Sequence, residues 1–497
     1  MALDQQRNWD ISMAENLAAS KRRREAVTEQ EAPLHHTTTT TTSSTDQSTP
    51  PPPIYLPDEI LIQILNYISH LPTPLSQPTF AACALLSHQW HNASTPYLYA
   101  HPRLYGGNYD PFVRAICPSI NLHVRQSPLS SLVKTLDMGS LVHQGSKSLT
   151  ARVLGRTKGN LETFVAPQAS FAINCLPALS KCSALKCLDL SLVSESPPLP
   201  DLFRTLAHLG ELKTLRLPRS AGFGVHYKPT SFLWPPQLED LTISGGIDAH
   251  FLHGVVAFPQ TLRSLTIEHC PLAKGYAVTH LLRTAVRPLR NLESFKIRQM
   301  PRLGSRSLDD VLFLLPQIHR LSISVDYISP AFLDERNEWR IPKESIVVPS
   351  ASASSSHSTT STPSPTPSTT TTNRDPSYWS DLTASSPLLR DHPLHTLELT
   401  SSGATGAEDK ITPVDILIAI TDDGNLPHLR RVLAARSLRW GSSSTAGDSE
   451  ALTDALVEGA RAGWERERSG GSGLGEGGVE GQVGEWERGV GVWEIDG

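Results

Sequence analysis

The 497 residues carry 44 Lys and Arg against 49 Asp and Glu, a formal net charge of −5 at pH 7, and 39% of them are hydrophobic. That length leaves room for roughly two to four domains, and the acidic balance argues against a general nucleic-acid or membrane surface, both of which need a basic excess. No stretch is long and apolar enough to span a bilayer and the N-terminus lacks a signal-peptide core, so an intracellular protein, cytoplasmic or nuclear, is expected. The six cysteines, Cys83, Cys117, Cys175, Cys182, Cys187 and Cys270, lie in apolar surroundings without a Cys-x-x-Cys pair. Buried reduced thiols and no zinc site are the expectation.

Taken in order, residues 1–53 are polar and of low complexity, with a threonine run at 37–42 and a proline run at 50–53, so disorder is expected there. Lys21-Arg22-Arg23-Arg24 reads either as a nuclear-import signal or as a solvated charge cluster on a transient helix, with Glu25 and Glu29 close behind. From Ile54 the chain turns apolar. Pro57 and Asp58 supply a fixed φ and an N-cap, and Ile60, Leu61, Ile64, Leu65 and Ile68 recur at helical spacing, which predicts a short amphipathic helix. Residues 72–78 are expected to form a loop that breaks it. Phe80, Cys83, Ala84 and Leu86 suggest a second helix, with Trp90 just beyond it and residues 96–99 closing the unit. A segment of about 50 residues cannot bury a stripe this wide alone, so it should share its apolar surface with a partner or with the chain that follows.

The motifs Leu56-Pro57-x-Glu59-Ile60-Leu61, Leu85-Leu86-Ser87-x-x-Trp90 and Pro96-x-Leu98-Tyr99 stand in this stretch, and at these residues it resembles an F-box. The resemblance implies a three-helix fold that docks onto the Skp adaptor of cullin–RING ubiquitin ligases, with Leu56, Pro57, Ile60, Leu61 and Trp90 at or beneath the adaptor surface. The spacer 71–78 is longer than in the tightest members of that family, which leaves the angle between the first two helices open. From the residues alone, the alternative is a small helical cap sealing the N-terminal end of a repeat domain.

A second pattern then recurs. Leu-x-x-Leu-x-Leu or a close variant appears at Val133/Leu136/Met138, Leu161/Phe164/Ala166, Leu185/Leu188/Leu190, Leu212/Leu215/Leu217, Leu238/Leu241/Ile243, Leu262/Leu265/Ile267, Leu292/Phe295/Ile297 and Ile318/Leu321/Ile323, with starts 24 to 30 residues apart. It returns at Leu394/Leu397/Leu399 and, more weakly, at Leu429/Val432/Ala434. These residues resemble leucine-rich repeats, each one strand plus one return segment. The return segments 199–209, 276–286, 307–315 and 413–421 carry apolar residues at helical spacing, and strands alternating with helices give a parallel sheet. Only Cys270 occupies the position where family repeats place Asn or Cys to bond the turn backbone, so the curvature is left open.

Between 346 and 386 Ser, Thr and Pro replace the pattern, as a disordered insertion inside one repeat would. Thr362-Pro363, Ser364-Pro365 and Thr366-Pro367 there are either proline-directed phosphorylation sites or parts of an unmodified loop. The tail has helical spacing over 449–468 through Leu452, Leu456 and Trp464, then Gly and Glu imply disorder, with Trp486 and Trp493 either idle or short binding anchors.

Catalytic chemistry is not indicated. His88-x-x-His91 lacks a third ligand nearby, Asp309-Asp310 and Asp422-Asp423 suit helix ends or turns, and Gly222 to Gly224 lacks the lysine of a phosphate loop. Strand geometry points instead to one sheet face. With the signature leucines inward, Asp189, Arg216, Asp240, Thr242, Thr266, Glu268, Lys296, Arg298, Arg320, Ser322 and Glu398 fall on the concave side, acidic ones early and basic ones late. Polar-out alternation alone would also place them there.

The expected fold is therefore α/β: an N-terminal three-helix F-box (54–105) followed by a leucine-rich-repeat solenoid (106–345 and 387–440), with parallel strands on the concave face and helices on the convex face. A disordered N-terminus (1–53), a Ser/Thr/Pro insertion (346–386) and a tail (441–497) complete it. The two resemblances imply the substrate-recognition subunit of an SCF-type (Skp–cullin–F-box) E3 ubiquitin ligase of the fungal F-box/leucine-rich-repeat type, with no catalytic residue, metal or cofactor. Its partners would be the Skp-family adaptor, through it the cullin–RING ligase, and an unidentified protein target, without nucleic acid or membrane. The target would lie on Asp189, Arg216, Asp240, Glu268, Lys296, Arg298, Arg320 and Glu398. A scaffold whose N-terminal helices only cap the repeats is the main rival, and an enzyme using the concave face a second.

Overall fold

A computed structural model describes residues 56–119, 127–141, 145–219, 233–245, 257–334, 389–401, 410–470 and 489–496. All of them except Leu56 belong to one compact unit, Pro57–Gly497. The basic run at 21–24, the Ser/Thr-Pro sites at 362–367 and Trp486 lie outside the described residues.

Three helices lead: α1 (Asp58–Ser69), α2 (Thr73–Cys83) and α3 (His88–Ala100). The loop expected over 72–78 is helical instead. Pro72 is the N-cap of α2 and Pro74 sits in its first turn, where the amide hydrogen that proline lacks has no helical acceptor to lose. Only Pro78 removes a helical bond. Asp58 is not a cap either: Pro57 occupies that place without a side-chain bond, while Asp58 Oδ1 accepts from Gln89 Nε2 at 2.6 Å and ties α1 to α3. Trp90 lies beyond the second helix as expected, in the first turn of α3, where its amide donates to the capping Ser87 hydroxyl at 3.3 Å.

Helix α4 (Gly106–Ile116) opens the main core, and eleven strands follow: β1 (Thr135–Asp137), β2 (Thr163–Val165), β3 (Cys187–Asp189), β4 (Thr214–Arg216), β5 (Asp240–Ser244), β6 (Ser264–Glu268), β7 (Ser294–Arg298), β8 (Arg320–Ser324), β9 (Thr396–Thr400), β10 (Arg431–Ala435) and β11 (Gly491–Ile495). They form one sheet in sequence order, every pair parallel. Each strand makes its bonds only to its sequence neighbours, an arrangement that fits a solenoid. Between strands run α5 (Lys147–Thr157), α6 (Leu176–Leu179), α7 (Leu199–Leu206), α8 (Gly275–Leu281, continued as a π turn over Leu282–Val286), α9 (Val311–Leu314) and α10 (Pro413–Thr421). The helical spacing read at 199–209, 276–286, 307–315 and 413–421 thus marks real helical segments, shorter than expected at α9.

The signature positions explain the stack. Leu136, Phe164, Leu188, Leu215, Leu241, Leu265, Phe295, Leu321, Leu397 and Val432 are register partners along one file, all at most 1% exposed. Each such side chain contributes about 2–5 kcal/mol when its truncation would leave a cavity. All six cysteines are free; five are buried and Cys187 is half-buried, and burial raises the Cys182 and Cys270 thiols to about 12.

The two ends of the sheet are treated differently. At the front, Lys134 N donates to Ala100 O at 2.9 Å, Arg103 forms a parallel bridge with Asp137, and His101 Nδ1 lies 2.9 Å from Thr135 Oγ1, so the chain leaving α3 covers the edge of β1. At the back, the tail expected to be disordered after 468 supplies β11. Helix α11 (Ala446–Gly470) covers and exceeds the predicted 449–468, burying Leu452 and Leu456. The strand is then held by Arg431 Nε to Gly489 O at 2.5 Å, Gly441 N to Glu494 Oε1 at 3.1 Å and Arg436 to Asp496 at 2.7 Å. Gly489 has φ +81°, and a Cβ there would collide with the Arg431 guanidinium, so the turn into β11 requires glycine.

Candidate functional site

The first candidate surface is set by what the small helices fail to bury. Leu65, Phe80 and Cys83 form their core, with Ile68, Trp90, Ala93, Tyr97 and Leu98 packed against it and the Phe80 and Tyr97 rings stacked at 5.5 Å. Each short helix can turn only one face inward. Leu85 is consequently 87% exposed, Tyr67 73%, Leu86 66%, Leu75 52%, Ile62 51% and Ile60 42%. Leucines bared to that degree on one small unit need an outside companion or carry a solubility cost.

The residues expected at the adaptor surface do not behave alike. Ile60 and Pro57 are exposed, Leu56 and Trp90 are half-buried, and Leu61 is fully buried. Leu61 therefore supports the patch from below and offers no surface of its own. Sequence reasoning missed Ile62, Tyr67 and Leu75, and used Leu85 and Leu86 only as motif letters or helix spacing. The available signal was that α1 carries apolar residues outside its Leu61/Leu65 stripe.

The second candidate surface is the open face of the sheet. Register gathers its side chains into three files flanking the buried ones. The first runs Thr135, Thr163, Cys187, Thr214, Asp240, Ser264, Ser294, Arg320, Thr396, Arg431; the second Asp137, Val165, Asp189, Arg216, Thr242, Thr266, Lys296, Ser322, Glu398, Leu433, Trp493; the third Ser244, Glu268, Arg298 on β5 to β7, Ser324 and Thr400 on β8 and β9, and Ala435 and Ile495 at the far end; Ser322, expected on the surface, is buried, as are Ser244, Ser324, Thr400 and Ala435. All eight expected target residues lie in these files. They are not equally free. Asp189 is only 9% exposed: it accepts from Ser191 N at 2.9 Å and Ser191 Oγ at 2.6 Å and pairs with Arg216 at 2.9 Å, so its carboxylate is used in holding the turn after β3. Lys296 and Glu398 face each other across Ser322 at 3.9 Å. Asp240, Glu268, Arg298 and Arg320 have no ion pair or side-chain hydrogen bond among the described residues.

Charge divides along the sheet. On β1 to β6 the open face carries the acids Asp137, Asp189, Asp240 and Glu268 against the single base Arg216, a net of −3; on β7 to β11 it carries Lys296, Arg298, Arg320 and Arg431 against Glu398, a net of +3.

One further ladder was not anticipated. The residue just before each strand forms a file along the sheet's leading lip, with Lys186 to Glu162 at 2.9 Å, Lys213 to Glu239 at 2.8 Å and Arg263 to Glu293 at 3.4 Å. The hydrogen bond from Lys186 holds the Glu162 carboxyl below its ordinary range. The file continues in His319 and His395, whose rings stack with centroids 5.4 Å apart, and His428, outside the file in the turn before β10, stacks on His395 at 5.9 Å. Exposed pairs of this kind contribute little stability each.

A cleft of about 550 Å³ lies between the leading helices and the first repeats, lined among others by Leu71, Phe80, Tyr97, His101, Lys134 and Asn160. Its polar groups are turned onto the protein: His101 to Thr135, and Asn160 Nδ2 to Ser131 O at 2.7 Å. Among the described residues no group of three or more His, Cys, Asp and Glu side chains is placed to hold a metal ion, and no helix is long and apolar enough to cross a membrane.

Comparison with known proteins matches residues 54–105 to the F-box-like family. The chain is 29% identical over 364 residues to "F-box protein YDR306C" of Saccharomyces cerevisiae, covering 72% of this chain and 63% of that protein. It is 27% identical over 348 residues to "Protein pof5" of Schizosaccharomyces pombe, covering 70% of this chain and 81% of that protein.

Proposed function

Because the chain is an F-box protein, we propose that it serves as the non-catalytic substrate-recognition subunit of an SCF-type ubiquitin ligase. Helices α1 to α3 dock a Skp-family adaptor, and the strands behind them are leucine-rich repeats whose open, concave face holds a target protein. Transfer chemistry then belongs to the cullin–RING subunits. The observation that carries this is the bare apolar surface at Ile60, Ile62, Tyr67, Leu75, Leu85 and Leu86, within or beside the matched F-box residues. Leu56, Pro57 and Trp90 would border or support it. A purely capping role would leave these leucines without a purpose, although the Ala100 and His101 bonds to the β1 edge show that the same helices also close the front of the sheet.

A rigid stack behind a docking module holds a target at a set distance from the ligase and so raises its local concentration there. The test is co-purification of the full chain with a Skp-family adaptor. Wild type should bind, and Leu85→Ser with Leu86→Ser should lose binding while keeping the unfolding midpoint. No binding by wild type would leave the scaffold as the function.

A further inference from the structure

We propose that the open face takes its target in one charge orientation, with an acidic segment bearing an apolar residue seated over β7 to β11. This deepens, and rests on, the target-binding role given to that face above. The occupant is argued from charge complementarity. The far half of the face is net +3 and the near half net −3, so a segment with an acidic end and a basic or neutral end is drawn on in one direction and repelled in the other.

Two details fix the acidic end. Arg298 and Arg320 hold no partner among the described residues, and the Arg298 Nε hydrogen is shut away from solvent unbonded. A buried donor without an acceptor costs free energy that an incoming carboxylate, accepted after a small turn of the guanidinium, recovers. Neighbouring Glu268 is in register with Arg298 yet lies beyond ion-pair distance. In the same half, the polar middle file ends in Leu433 and Trp493, the tryptophan 50% exposed although its strand is pinned at both ends. A fixed aromatic three strands along the face from Arg320, roughly 14 Å at the usual strand spacing, lies within the span of one extended segment and is the kind of anchor that dominates interface energies.

The test is selection of a random 16-residue peptide display library on the full chain, followed by anisotropy titration of enriched peptides against variants. Enriched sequences should carry an acidic cluster with a Leu, Phe or Trp. Arg320→Glu and Trp493→Ala should each weaken them by about tenfold or more. Asp240→Lys, on β5 in the acidic half and outside the β7 to β11 footprint, should change affinity less than threefold, and raised salt should weaken binding. Arg320 and Trp493 are exposed, so these variants are expected to fold; adaptor binding, measured on each, separates failure of this inference from failure of the receptor role. Enrichment of basic or neutral peptides, or binding insensitive to Arg320→Glu and Trp493→Ala, overturns it. So does a concentration-dependent dimer lost in Arg320→Glu, since two copies could pair their opposite halves.

Discussion

The leading helices and the strand stack are both rich in leucine, yet they treat it oppositely. In the stack each leucine meets the equivalent residue of the repeats before and after it, so the file from Leu136 to Val432 is closed to water. In the helices only Leu61, Leu65, Phe80 and Cys83 are buried among the apolar residues, and Leu85 and Leu86 stand in solvent. The lesson is that leucine content alone does not distinguish core from interface. What distinguishes them is whether the fold repeats: a periodic array supplies its own next partner, whereas a short three-helix unit runs out of chain before it runs out of apolar surface.

That contrast can be broken most forcefully in the stack. Phe295→Ala removes a fully buried ring between its register partners Leu265 and Leu321 and should cost about 3–5 kcal/mol, read from urea unfolding midpoints. A loss below about 1 kcal/mol would mean that the array collapses around the gap.

The next effect is pH-dependent. His392 is buried, with Nε2 3.2 Å from Leu315 O and Nδ1 accepting from Leu394 N at 3.2 Å, and burial lowers its pKa from 6.5 to about 4. Between those values the unfolded chain takes a proton that the folded chain refuses. The contribution is therefore fully present above about 6.5 and falls as pH drops toward 4, by on the order of 3 kcal/mol. Urea midpoints at pH 7 and pH 5 should differ accordingly, and His392→Asn should flatten the difference; a slope unchanged in that variant assigns it to other groups.

Within the helices the effects shrink. Ser87→Ala deletes the cap of α3 and should cost about 1 kcal/mol, visible as faster amide exchange in its first turn. Smallest on stability is Leu85→Ser, expected to stay within about 0.5 kcal/mol because the side chain is already in water. Loss of adaptor binding in that same protein would sharpen the contrast, since one leucine would then matter for a partner and not for the fold.

The 24 to 30 residue spacing from Val133 to Ile318 was enough to locate β1 to β8, because a strand exposes and buries alternate residues and the signature writes that alternation directly. The F-box motifs were legible for the same reason: they are local strings. Residues that act through partners remote in the chain were not. Asp189 looks free in the sequence and is tied down by Arg216, which the next strand brings beside it; residues 72–78 are a separate, local case, helical because their first prolines fall where no helical bond is lost.

By itself the sequence determined the period, the inward file of leucines, the face on which Asp240, Lys296, Arg298 and Arg320 stand, and the stretch that resembles a docking module. Only the tertiary structure decided which of those charges pair, that Leu61 is hidden while Leu85 is bare, and that Trp493 belongs to an eleventh strand reached across residues 471–488. Period and alternation are properties of neighbours along the chain, whereas pairing and exposure depend on which distant segments arrive beside them, and no local string carries that information.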